Sequence, residues 1–312
     1  SYMTVKFWEQ MGAKMCVLAR EVSFPEIVEI REKCPNIRLE MFVHGAMCMS
    51  YSGRCLISNF LTGRGANQGN CAHSCRWKYR MYSKANDKVL ESPCEDVVDY
   101  FLEEDQRRDE FMQIEETERG TFLMSSKDLC LMPVIDKLIK AEIDCFKVEG
   151  RNKSEYYTAV TARAYRMAID SYFENTDTFD HLPYLQELET LQSRGFTLGF
   201  FNGVPDGGAQ TFETTRSDSN WRNVGVITAI NKDNLIMELR NEISKGEEIE
   251  FLSPFENKPI KVLLPQIIDA KTELVYDKLS AGHERSVLIK KEWLGNNFDK
   301  LPVLSVARKR VS

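Results

Sequence analysis

Four cysteines in a stretch broken by glycines constrain this chain more than any other feature. Between Leu39 and Tyr79, the residues Cys48, Cys55, Cys71 and Cys75 form a C-x6-C-x15-C-x3-C array, interrupted by Gly45, Gly53, Gly63, Gly65 and Gly69. Thiols so spaced on a regular helix or strand could not meet, whereas on a glycine-rich loop they can converge on one point. Thiolates are soft ligands, so that point suits an iron–sulfur cluster or zinc. The spacing matches neither zinc-ribbon pairs nor ferredoxin runs, so the identity of the metal stays open.

The chain has nine cysteines, none beyond residue 145. Cys16, Cys34 and Cys145 lie in apolar strand or helix patterns and read as ordinary small core residues. Cys94 follows Ser92-Pro93 in a loop and Cys130 is expected to open a helix; either could replace one of the four. A disulfide framework fits poorly with an odd count, a long chain and no secretory segment. His44 and His73 are nearby substitutes or supporting donors.

Strand and helix patterns alternate through the first half. A helix over Thr4–Gly12 precedes an apolar strand at Met15–Arg20. Ser23 then caps a helix through Lys33, with Pro25 in its first turn. Leu39–His44 is the next strand, and its alternation puts Glu40, Phe42 and His44 on one face directly before the cysteine loop. After the polar segment 46–120, Thr121–Met124 reads as a strand and a helix runs from Ser126 or Asp128 to Ala141. Asp144–Glu149 is a strand, and Ser154 caps a long helix through Phe173. Residues 95–110 are charged enough to predict an exposed helix or mobile loop.

Repeated strand–helix units imply parallel strands with chemistry at their carboxyl ends. Glu40 and His44 are a candidate acid/base pair, and Lys147, Glu149 and Arg151 close the last strand of the series. Arg151 could clamp a carboxylate through two parallel hydrogen bonds. Arg20 and Glu21 end their strand in the same way, and Arg54, Arg64, Arg76 and Trp77 surround the cysteines as candidate substrate contacts.

Residues 176–222 read as a helix and linker. From Asn223 short strands of high β-propensity follow one another, which predicts a compact all-β barrel over 223–312. The run Ile243-Ser244-Lys245-Gly246-Glu247-Glu248-Ile249-Glu250 resembles the lead-in to a small barrel of the translation-factor type.

Three motifs carry a family resemblance: Glu40-x-Phe42-x-His44-Gly45-x-x-Cys48, Ser50-x-Ser52-Gly53-Arg54-Cys55-x-x-Ser58 and Asn67-x-Gly69-x-Cys71-x-x-x-Cys75-Arg76-Trp77-x-Tyr79. With Ser126-Lys127-Asp128-Leu129-Cys130 and Lys147-Val148-Glu149-Gly150-Arg151, they resemble the collagenase-like peptidase family U32. Cys71 and Cys75 ahead of Arg76-Trp77 are most similar to its branch of tRNA hydroxylation proteins. That resemblance implies a 4Fe-4S cluster and oxygen-independent formation of 5-hydroxyuridine in tRNA. Prephenate is the implied hydroxyl donor. It also implies a (β/α)8 TIM-like barrel, of which residues 1–175 would form the C-terminal half, with a Cys-rich insertion at 46–120. Only four strand–helix units are legible where eight strands are needed. The chain is therefore expected to lack the N-terminal half of the barrel, which a second copy or a separate fragment would complete.

Two readings compete. A collagenase-like peptidase would need a nucleophile or metal helix, and no H-E-x-x-H or G-x-S-x-G motif is present. A zinc-stabilised RNA-binding module would need only the thiols. Net charge is −6 and the pI near 5.5, so RNA binding requires a local basic face. Arg76–Arg80, Lys147–Lys153 and Arg308–Arg310 are the runs that could build one. No apolar run approaches the roughly 20 residues of a membrane span, and the expected location is the cytoplasm.

Overall fold

The computed structural model describes residues 1–48, 50–55, 57–65, 70–72, 74, 82–85, 88–91, 100–104, 107–117, 120–123, 125–150, 153–204, 210–211, 220–282 and 285–311. Contacts divide the chain into two compact units. One comprises Ser1–Glu149 with Ser193–Ser217, the other Gly150–Gln192 with Asp218–Ser312. Among the described residues no helix is long and apolar enough to cross a membrane.

The first unit is mixed α/β. It begins α1 (Tyr2–Gln10), β1 (Met15–Leu18), α2 (Phe24–Lys33), β2 (Arg38–Gly45) and α3 (Ile57–Thr62). Helix α2 starts at Ser23 because its amide donates to Glu26 Oε2 at 2.8 Å, a capping box that satisfies the helix end. Its inner face buries Ile27 and Ile30. Strands β3 (Tyr82–Ala85) and β4 (Lys88–Glu91) form a hairpin, and β5 (Tyr100–Glu104), β6 (Arg107–Thr117) and β7 (Gly120–Leu123) a three-stranded meander. The charged segment expected as a helix or loop is thus strand over 100–104 and 107–117. Strands β5 and β6 pair antiparallel, with Glu104 and Arg107 in register.

Next come β8 (Ser125–Ser126), β9 (Asp128–Cys130), α4 (Ile135–Lys140), β10 (Cys145–Val148), β11 (Phe196–Thr197) and β12 (Gln210–Thr211), the last paired with β8. Strands β1 and β10 flank β2, both parallel to it. The helix expected from Ser126 or Asp128 starts only at Ile135, and Cys130 is a strand residue. A single 3-10 turn over Met132–Val134 leads into that helix, and the Leu131 amide is committed to Val43 O at 2.8 Å. Strand β9 meets the end of β2 antiparallel, pairing His44 with Cys130, and β11 runs parallel to β9.

The second unit opens with α5 (Glu155–Glu174), capped where Ser154 Oγ accepts the Tyr157 amide at 3.2 Å, and α6 (Leu182–Glu189). Then follow β13 (Trp221–Ile230), β14 (Asn234–Leu239), β15 (Ile243–Ser244), β16 (Glu248–Leu252), β17 (Ile260–Leu263), β18 (Ile267–Ile268), β19 (Val275–Tyr276), β20 (Lys278–Leu279), β21 (Ser286–Lys290), α7 (Lys291–Leu294) and β22 (Val306–Arg310). Six of these strands make one curled antiparallel sheet in the order β17-β16-β22-β13-β14-β21. Its core includes Ile227, Leu235, Met237, Ile249 and Phe251, each fully buried.

Strand β22 lies inside that sheet, which removes one of the three expected basic faces. Arg308 is only 3% exposed and spends its charge on Glu250 and Glu187. Lys309 Nζ is held by Glu247 at 2.9 Å. The run Arg308–Arg310 reads as surface in one dimension, but pairing with β13 and β16 puts its first member indoors.

Candidate functional site

Charged side chains collect where β1, β2 and β10 end. Parallel pairing sets Cys145 opposite Glu40 and Lys147 opposite Phe42. Glu40, 9% exposed, receives Lys147 Nζ on Oε1 at 2.7 Å and the Cys145 thiol on Oε2 at 3.2 Å. Phe42, between Glu40 and His44 on the same face, carries two cations. The Arg20 guanidinium lies 4.0 Å from its ring centroid and the Lys147 ammonium 5.1 Å. Arg20 also pairs with Glu149 at 3.6 Å.

The result is a charge chain across three strands, Glu40–Lys147–Phe42–Arg20–Glu149. The Lys147 hydrogen bond lowers the pKa of the Glu40 carboxyl, burial opposes it, and the Cys145 bond adds to the lowering. Burial pulls the Arg20 guanidinium below the usual arginine range, while Glu149, Cys48 and Glu21 oppose it. Burial and then Glu40 push the Cys145 thiol up.

Other expected residues support the loop that follows β2. Glu21 Oε1 accepts the Ser52 amide at 2.6 Å, anchoring the cysteine loop to the end of β1. Buried Ser58, on α3, donates to Arg64 O at 2.8 Å and accepts from Ala72 N at 2.9 Å, which fixes the chain beside Cys71. Arg64 reaches Asn70 Oδ1 at 3.1 Å. Arg54 is exposed. The His44 imidazole is buried, 5.4 Å from the Phe196 ring, and His44 O accepts the Glu149 amide at 2.8 Å.

Cys48 is exposed, Cys55 and Cys71 are partly buried, and none of the three is disulfide-bonded. Such thiols fit a soft metal or cluster in kind. Among the described residues no three His, Cys, Asp or Glu side chains are gathered to hold a metal ion. Cys75, Arg76, Trp77, His73 and Arg151 lie outside the described residues.

Two members of the cluster were not assigned a role from sequence. Alternation alone places Phe42 on the face it occupies, so its signal is present in the sequence. Cys145 reads as core filling in the sequence, since nothing near it in the chain announces a carboxylate 105 positions away.

The peptidase family U32 profile matches residues 1–211. The chain belongs to that family. Among curated relatives, tRNA hydroxylation protein P of Escherichia coli (strain K12) is 37% identical over 295 residues, covering 88% of this chain and 64% of the relative. The protein of the same name from Haemophilus influenzae is 36% identical over 308 residues, covering 91% and 66%. A collagenase of Porphyromonas gingivalis is 31% identical over 202 residues, covering 61% and 42%. The chain thus spans just under two thirds of the length of the first two. A crystal structure of the C-terminal domain of a Geobacillus thermoleovorans protein described as a U32 peptidase aligns with 28% of this chain, with TM-score 0.23 and 18% identity.

Proposed function

We propose that this chain belongs to an enzyme that hydroxylates a tRNA uridine without oxygen, forming 5-hydroxyuridine with prephenate as hydroxyl donor. The names of the relatives support tRNA as the substrate. The observation that carries the reading is the pair of cations over Phe42 at the carboxyl ends of parallel strands. Barrel enzymes collect their working groups there, and two cations suit a donor with two carboxylates. Arg20 and Lys147 bind and orient that donor, with Arg151 a further candidate clamp. Glu40 and Glu149 hold the two cations in place and keep the cluster near neutrality until the donor enters. We read β1, β2 and β10 as part of a (β/α)8 barrel wall; the antiparallel entry of β9 is a departure from that pattern.

Cys48, Cys55, Cys71 and Cys75 are the proposed holders of a 4Fe-4S cluster, with zinc as the alternative. A bound cluster would supply electrons one at a time. A peptidase using Cys145 as nucleophile has less support, because a thiol with a raised pKa holds little thiolate at neutral pH.

The test is incubation of anaerobically purified protein with tRNA and prephenate, followed by mass spectrometry of nucleosides. The reading expects 5-hydroxyuridine, lost in Arg20→Ala and Lys147→Ala. Absence of that nucleoside together with cleavage of gelatin would reverse it in favour of the peptidase.

A further inference from the structure

The Glu40 carboxylate is held from both sides by one neighbouring strand. Lys147 takes one oxygen at 2.7 Å and Cys145 the other at 3.2 Å. Register produces this, since Cys145 stands opposite Glu40 and Lys147, two residues on, shares its face. On the opposite flank the residue in register with Glu40 is Val17 of β1, which carries no charge. A carboxylate tied at one oxygen only can turn about its terminal torsion, which is broad and roughly two-fold. Tied at both, it presents a fixed oxygen to the ammonium.

We propose that Cys145 is a positioning residue: its thiol holds the second Glu40 oxygen, so that the first stays aimed at Lys147 and the ammonium stays over Phe42. A thiol does this only while it keeps its proton. Burial and the Glu40 charge favour the protonated form; Lys147 and Arg38 oppose them. The same environment keeps Cys145 a donor and makes it a poor nucleophile. Lys147, 42% exposed in its side chain, keeps donors for an incoming anion. The link to turnover rests on the proposed function above, but the geometry does not.

The experiment is an infrared titration of the Glu40 carboxylate in the full chain, assigned by Glu40→Gln, in wild type, Cys145→Ala and Cys145→Ser. Loss of the thiol in Cys145→Ala moves protonation of Glu40 to higher pH, because a donor to the charged form is gone; Cys145→Ser restores it. Wild-type titration in Cys145→Ala overturns the proposal, as does Cys145→Ser following Cys145→Ala, which would make the effect one of volume. The S–H stretching band of Cys145, assigned by its disappearance in Cys145→Ser, supplies a reading on the unaltered protein. A band lowered from that of a thiol without an acceptor supports the bond, and an unshifted band overturns it. Both measurements stand whether or not tRNA is the substrate, so failure of the proposed function leaves them intact.

Discussion

Gly45 and Glu149 approach so closely that a Cβ built on the glycine would stand 2.4 Å from the Glu149 carbonyl oxygen and 2.8 Å from its Cβ. Gly45 also has φ +121°, a region that side chains disfavour. The ends of β2 and β10 close on each other here, and the Glu149 amide bonds His44 O at 2.8 Å. That closure brings Glu149 within reach of Arg20.

Gly45→Ala should therefore cost about 2–4 kcal/mol, combining backbone strain with a forced shift of Glu149. Gly53, with φ +78° and nothing within 4 Å of an added Cβ, provides the comparison. Gly53→Ala should cost only the conformational part, about 1–2 kcal/mol. Urea unfolding of both variants measures the difference, and equal losses would contradict the close approach.

Acid should weaken the Glu40–Lys147 contact in a defined window. The folded Glu40 pKa lies below its ordinary value, so its stabilisation is fully present above the unfolded pKa of about 4.3 and is lost as pH falls through the folded value. Lys147→Met leaves Glu40 buried without its cation. The loss at neutral pH should be about 1–3 kcal/mol, discounted because Lys147 is partly exposed. Unfolding curves at neutral and acid pH should show the gap to wild type narrowing as Glu40 is protonated. A pH-independent gap would refute the assignment.

Arg308 should matter more. Its Nε lies 2.9 Å from Glu250 and its Nη1 2.7 Å from Glu187, with the guanidinium 4.2 Å from the Trp221 centroid. Arg308→Met removes the buried cation that Glu187 and Glu250 share and leaves Glu250 only the exposed Lys261 at 3.6 Å, an expected loss of about 3 kcal/mol. Arg308→Lys should recover only part of it, since an ammonium cannot serve both acceptors as a planar fork does. Thermal unfolding of the two variants checks the order.

For the thiol quartet, protein prepared without oxygen should contain iron and acid-labile sulfide in equal amounts. Cys→Ser at 48, 55, 71 or 75 should bleach the chromophore, while Cys145→Ser should leave it. Zinc without sulfide would replace the cluster by the structural alternative.

Much of the framework is legible over a few residues. Ser23 with Glu26 and Ser154 with the Tyr157 amide are caps whose parts lie within three positions of each other. Alternation along β2 is likewise local, and it placed Glu40 and Phe42 together. Strand–helix alternation implied the parallel pairing of β1 and β2 that the structure contains.

What one dimension could not contain is who sits beside whom. Cys145 looked like core filling until register set it against Glu40, and Arg308 looked like surface until β22 took its place between β13 and β16. Asp128–Cys130 had helical company in sequence but found backbone partners on β2 and β11. Caps and periodicities are decided by bonds between near neighbours, so the chain alone determined them. Burial and charge pairing depend on groups a hundred positions apart, and only the closed fold brings those within a few ångströms.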